Sequence, residues 1–90
     1  MDLSGLPGGT LVACGLADLA AGRRSVAALV ASVGAPRLRG LGLEVSGPLL
    51  DAEHELWKLL AEEDPDDAHG RYNALLRELV SFERALECVG

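Results

Sequence analysis

Aromatic side chains are scarce in this sequence. Only Trp57, Tyr72 and Phe82 are aromatic among 90 residues, and isoleucine is absent. Because almost half of the residues are nonetheless apolar, we expect a core of leucine, valine and alanine side chains. Alanine lets helices approach closely but buries little area, and a chain of this length has limited core volume. This combination favours a homodimer in which a second copy covers apolar surface.

Cysteine is also scarce, and no long apolar run is present. Cys14 and Cys88 form no CxxC pair and are too few for a disulfide framework, which argues against a small disulfide-stapled secreted domain. We expect both to be buried as small hydrophobic groups. No basic region precedes an apolar run near the N-terminus, and no run approaches the ~20 residues of a membrane span. We therefore predict a cytoplasmic protein with no membrane association.

Basic residues are outnumbered by acids, giving a formal net charge of −6. Residues 1–48 carry four arginines against three acids, whereas residues 49–90 carry four basic residues against eleven acids. Binding to nucleic acid or to anionic lipid depends on basic surfaces, so both are disfavoured as general functions. Seven arginines beside one lysine, without isoleucine, indicate GC-rich coding, and we expect a bacterial protein.

The clearest pattern runs from Asp64 to Val89. Asp64 is predicted as a helix N-cap, with Pro65 at the first helical position and Asp67 as the acid of a capping box. Apolar residues then recur at spacings of four and three, which predicts an amphipathic helix with a heptad stripe. The stripe consists of Ala68, Tyr72, Leu75, Leu79, Phe82, Leu86 and Val89.

The rest of the chain predicts an all-α fold, a compact bundle of about four helices. Residues 1–9 are rich in glycine and proline and are expected to form an irregular arm, and residues 10–90 a single helical domain. A first helix is predicted over residues 11–21 with Thr10 as its N-cap, and a second over residues 26–33 with Ser25 as its N-cap. Gly15 is expected to face the interior and to permit a close helix crossing.

The third long helix is predicted from about Pro48 to Glu63, after a short turn near residues 36–40. Pro65 disfavours helical geometry at the residue before it, so this helix should end near Asp64. The connection to the last helix is then very short. A short connection between two amphipathic helices predicts a C-terminal antiparallel αα-hairpin.

Three functional hypotheses follow, and the leading one is a non-catalytic helical protein that acts by self-association or by binding another protein. On the last helix, His69, Asn73 and Arg77 are spaced by four and form one polar strip beside Tyr72. This strip is a possible binding site, although a solvated helix face is the more common arrangement. Leu76, Val80 and Trp57 border the apolar stripe and are the possible interface residues.

The second hypothesis is a DNA-binding or DNA-complex accessory protein. Residues 25–43 have the layout of a degenerate helix-turn-helix: an apolar helix, a glycine turn and a basic second element. However, Gly40 and Gly42 would each weaken a recognition helix by about 1 kcal/mol relative to alanine. The candidate DNA contacts are Arg23, Arg24, Arg37 and Arg39.

The third hypothesis is a small metal-dependent enzyme around His54 or His69. Asp51 and Asp66 each precede one of these histidines by three residues, but two ligands are too few for a metal site. The sequence contains no HExxH motif, no GxSxG motif and no phosphate-binding glycine loop. We therefore predict no cofactor and no catalytic residue, and catalysis is the less favoured interpretation.

Overall fold

The computed structural model of the chain describes residue 3 and residues 5–89. Expectations for residues 1, 2, 4 and 90, at the ends of the predicted arm and domain, lie outside the described residues. Five helices follow one another in the described part, and none of them combines the length and apolarity needed to cross a bilayer. They are α1 (Gly9–Ala20), α2 (Val26–Val33), α3 (Ala35–Gly40), α4 (Ala52–Glu63) and α5 (Ala68–Val89). The predicted all-α bundle is confirmed, with α3 in place of the expected turn.

Helices α1 and α2 cross in close contact at Gly15. A β-carbon on this glycine would collide with the carbonyl oxygen of Ala27 and would lie 2.9 Å from the β-carbon of Ala31. Only glycine therefore allows the two helices to approach this closely. The predicted role of Gly15 is confirmed.

Helix α2 begins and ends where the sequence predicts. The Ser25 hydroxyl accepts a hydrogen bond from the backbone amide of Ala28 at 3.0 Å, as an N-cap residue should. The same hydroxyl donates to the Asp18 carboxylate of α1 at 2.6 Å. One serine thus caps α2 and joins it to the preceding helix.

The predicted start of α1 is wrong because packing against α5 sets it. The helix begins at Gly9, so Thr10 lies inside it and does not act as its N-cap. Gly8 precedes it with a φ of 70°, and a β-carbon there would lie 2.5 Å from the carbonyl oxygen of Glu78. The chain can pass this close to α5 only at a glycine with a left-handed backbone.

Helix α4 begins at Ala52, later than the predicted start near Pro48. The backbone amide of Leu49 donates to the hydroxyl of Ser32 in α2 at 2.9 Å. Ser32 is buried, so this bond ties the segment before α4 to the core. The helix starts only after Asp51, which has a left-handed φ of 54°.

The predicted N-cap of α5 is also wrong, because the acids at this joint form a turn. The Asp64 carboxylate accepts from the amide of Asp66 at 3.2 Å, and its carbonyl oxygen accepts from the amide of Asp67 at 3.2 Å. Asp64 ends α4, and α5 begins only at Ala68. The side chain of Asp64 is therefore used in an Asx-type turn.

The connection remains short, and α4 and α5 form the predicted antiparallel hairpin. The Arg71 guanidinium lies 2.8 Å from the Glu63 carboxylate, while Trp57, farther back along α4, contacts Tyr72. Arg71 therefore pairs with Glu63 across the joint. The hairpin brings the start of α5 against the end of α4.

The core lies where the helices meet, and its largest fully buried side chain is Phe82 of α5. The predicted stripe of α5 is buried or half-buried up to Leu86, but Val89 is 68% exposed. Cys14 and Cys88 are both exposed free thiols, so their predicted burial is wrong. Cys88 follows Leu86 by two residues, and a helix turns by about 200° over that interval. It therefore lies on the side away from the core.

Candidate functional site

One side of α5 is not covered by the rest of the described chain. We call it the outer face of α5. Its residues follow one another at helical spacings of three, four and one, and together they line an open depression of ≈ 520 Å³. The outer face consists of Asn73, Leu76, Arg77, Val80, Ser81 and Arg84.

Two apolar residues lie at the centre of this face. Val80 is 42% exposed, and Leu76 is half-buried. Both also line a neighbouring groove of ≈ 320 Å³ whose other wall includes Val33 and Pro36. Protein interfaces have an apolar centre and a polar rim, and these two side chains with their polar neighbours have that arrangement on a small scale. Two of the predicted interface residues are therefore adjacent in the structure.

The predicted polar strip runs into the outer face. The Asn73 amide nitrogen lies 3.1 Å from Nε2 of His69 and can donate to it when that nitrogen is unprotonated. Nε of Arg77 donates to the backbone carbonyl of Asn73 at 3.4 Å. The three side chains are thus adjacent, as the spacing predicts.

Trp57, the third predicted interface residue, extends this surface onto α4. Its ring meets the rings of His69 and Tyr72 edge to face, with centroid separations of 6.0 and 5.8 Å. Trp57 remains 39% exposed. Burial raises the pKa of the Tyr72 hydroxyl, and the negative charge of Glu53 raises it further. This hydroxyl therefore stays neutral at physiological pH.

A buried carboxylate marks the opposite edge of the outer face. Glu83 is only 7% exposed, beneath the junction of α2 and α3. Its carboxylate lies 4.0 Å from Nε of Arg37, whose Nη2 donates to Glu87 at 2.6 Å. Burial raises the pKa of the Glu83 carboxyl, and the charge of Arg37 offsets part of that rise. Arg37 therefore shares its charge between two acids of α5.

The arginines of the DNA-binding hypothesis all have partners within the described residues. Arg23 lies 3.3 Å from Asp18, and Arg24 pairs with Glu55. Arg37 is paired as described above, and Arg39 donates to the carbonyl oxygen of Val45 at 2.7 Å. Residues 25–43 fold as α2 and the six-residue α3, which ends at Gly40. Phosphate contacts would have to compete with these existing partners.

The residues of the metal hypothesis are not gathered into one site. Over residue 3 and residues 5–89, no three side chains of His, Cys, Asp or Glu form a group that could hold a metal ion. His54 and His69 are both exposed on their helices. The nearest partner of His69 is the amide of Asn73.

Three contributors to this surface were missed in the sequence. Ser81 and Arg84 continue the strip, because Arg84 follows Val80 by four residues and lies on the same side of the helix. Extending the four-residue spacing of the strip by one more step would have found Ser81, and Arg84 follows Arg77 by seven residues, which is two turns. The burial of Glu83 could not have been found, since it depends on the junction of α2 and α3 packing against α5.

Comparisons with known proteins supply no assignment. No family model, no curated protein and no solved structure matches this chain.

Proposed function

We propose that this chain is a non-catalytic helical domain that acts by self-association, as a homodimer formed through the outer face of α5. The observation that carries the proposal is the exposed Val80 beside the half-buried Leu76 at the centre of a helix face. Burial of such side chains against a partner is the usual driving force of association.

The composition of the core supports this proposal. The buried residues are mostly leucine, valine and alanine, with Phe82 as the one fully buried aromatic residue among those described. A small domain of this kind buries a modest share of its surface, so covering further apolar area on a second chain stabilises it. Binding of a different protein to the same face is the alternative form of this function.

The protein is further proposed to act in the cytoplasm, with no role on membranes or as a general nucleic-acid binder. Its two exposed free thiols are typical of a reducing compartment. The net charge of −6 opposes attraction to phosphate groups.

The test is to place a charge at the centre of the outer face. Val80→Glu should leave the fold intact, because Val80 is already 42% exposed, and should weaken dimerisation at least about tenfold by burying a charge. The average mass measured by light scattering, from low to high micromolar protein concentration, reports the fraction of dimer. Circular dichroism checks that the fold is kept.

The matched control is Val89→Glu. Val89 is on the same helix and 68% exposed, and it lies about 180° from Val80 around the helix axis. It should not change the mass. A native protein that is strictly monomeric at high micromolar concentration, or equal effects of the two substitutions, would refute the proposal.

A further inference from the structure

The two sides of the outer face of α5 carry opposite charge. At about 100° per residue, Arg77 and Arg84 lie about 60° and 40° to one side of Val80. Glu83 and Glu87 lie about 60° and 20° to the other side. The contacts agree with these angles, since the arginines line the open depression while both acids contact Arg37 of α3.

The charges on the two flanks are therefore complementary. The flank of Arg77 and Arg84 has a charge of +2, and neither arginine takes part in an ion pair of the described residues. The other flank has a charge of −1 from Glu83, Glu87 and Arg37. Glu87 is the accessible acid, with a side chain that is 60% exposed.

Symmetry decides which flanks meet when two copies associate. In a two-fold dimer the same patch is used by both subunits. If the two α5 helices run antiparallel about Val80, each flank meets its own counterpart, so Arg77 of one copy faces Arg84 of the other. If they run parallel, each flank meets the opposite flank. Like charges in contact are unfavourable, whereas opposite charges stabilise helix pairs.

We propose that two copies pair through α5 in parallel, with Val80 at the two-fold axis and Arg84 of each copy beside Glu87 of the other. The inference rests on the proposed self-association. Arg84 of one copy and Glu87 of the other are offset by three residues, which is about 4.5 Å along the helix axes. Two long side chains can span that offset. Glu87 lies about 20° from Val80 and therefore also faces Glu87 of the second copy, but each of these two acids lies between Arg37 of its own chain and Arg84 of the other, whose charges offset the repulsion.

Asn73 lies at the seam of this arrangement. It is half-buried and only about 20° from Val80 around the helix. In a parallel two-fold pair it meets Asn73 of the second copy at the same height. A single asparagine at such a position helps to set the register of paired helices.

Cysteine cross-linking separates the two orientations. In a Cys14→Ser, Cys88→Ser background, Asn73→Cys should form a disulfide-linked dimer on mild oxidation, since the two residues are close only in the parallel pair. In an antiparallel pair centred on Val80 they would be about 21 Å apart. Val80→Cys is the control, because it lies at the axis in both orientations.

The outcomes distinguish this inference from the proposed function. A linked dimer of Asn73→Cys supports parallel pairing. Linkage of Val80→Cys alone would overturn it and leave self-association through α5 intact. A dimer by light scattering that neither cysteine links would show that α5 is not the seam, and a strict monomer would refute self-association itself.

Reversing the charge of Arg84 gives a second test, because the affinity of the dimer should change in opposite directions for the two orientations. Arg84→Glu should weaken the parallel dimer about tenfold, because two attractive pairs become repulsive. It would strengthen an antiparallel dimer, where it relieves arginine repulsion, and that result would overturn the inference. Mixing Arg84→Glu with Glu87→Arg should restore association. Glu78→Arg, a charge change of equal size and opposite sign on the side of α5 away from Val80, should have little effect.

Discussion

The two sides of α5 show how one helix can carry two apolar surfaces with different roles. On the inner side, Leu79, Phe82 and Leu86 are at most 4% exposed and contribute to the core. On the outer side, Leu76 and Val80 belong to a face with no covering element in the described part of the chain. The apolar pattern of α5 is thus wider than the monomer can bury. This excess is the observation behind the proposed self-association through α5.

The strongest test of this contrast compares truncation on each side. Phe82→Ala should destabilise the domain by about 3–5 kcal/mol, because a fully buried ring leaves a cavity. Val80→Ala should cost less than about 1 kcal/mol, because Val80 is already 42% exposed and lies outside the core. Urea denaturation at low protein concentration measures both. Similar losses would mean that the outer face is packed in the monomer.

Two helical glycines extend the comparison between packed and open helix surfaces. Gly15→Ala should destabilise by about 2 kcal/mol or more, because the new β-carbon meets the backbone of α2, which can move only with the whole helix. Gly70→Ala should instead stabilise by about 0.5–1 kcal/mol through helix propensity, since its nearest neighbour would be 3.5 Å away. Thermal melting of both variants checks the signs, and a harmless Gly15→Ala would contradict the close crossing.

The smallest expected effect lies at the boundary between the two sides, at Glu83. Its pKa is raised in the folded state, mainly by burial. The folded protein therefore binds this proton more tightly than the unfolded chain does. This difference stabilises the folded state at low pH, where the carboxyl is protonated. It is lost as pH rises through the raised pKa.

Glu83→Gln should remove this dependence. At pH 7 the variant should equal the native domain or exceed it by up to about 1 kcal/mol, because a neutral amide replaces a buried charge. The advantage should shrink as pH falls toward the ordinary glutamate value of 4.5. Glu87 contacts the same arginine from an exposed position, so Glu87→Gln is the control. A Glu83→Gln variant that gains relative stability on acidification would show the opposite sign of linkage.

Local patterns in the sequence predicted much of the architecture. The bounds of α2 followed from Ser25 and Gly34, because capping depends on neighbouring residues alone. The inner side of α5 followed from apolar spacing, since helical periodicity needs no knowledge of the partner. The adjacency of His69, Asn73 and Arg77 followed from the same periodicity.

The wrong helix starts have two physical causes. At α1 and α4, contacts with residues distant in sequence determined the structure: Gly8 packs against the backbone of α5, and the amide of Leu49 donates to Ser32 of α2. Partners that are distant in sequence cannot be read from a local motif. At α5 the competition is local, because the Asp64 carboxylate accepts from the amide of Asp66 in a turn and so does not cap the helix.

The sequence by itself determined the fold class, the buried side of α5 and the need for glycine at the α1–α2 crossing, because these depend on side-chain size and helical period. Only the tertiary structure decided which apolar residues remain uncovered, which arginines are already paired and where Glu83 is buried. Those properties depend on how helices lie across one another. The outer face of α5, with Arg84 on one flank and Glu87 on the other, is therefore a product of packing, because it is defined by what the other helices do not cover.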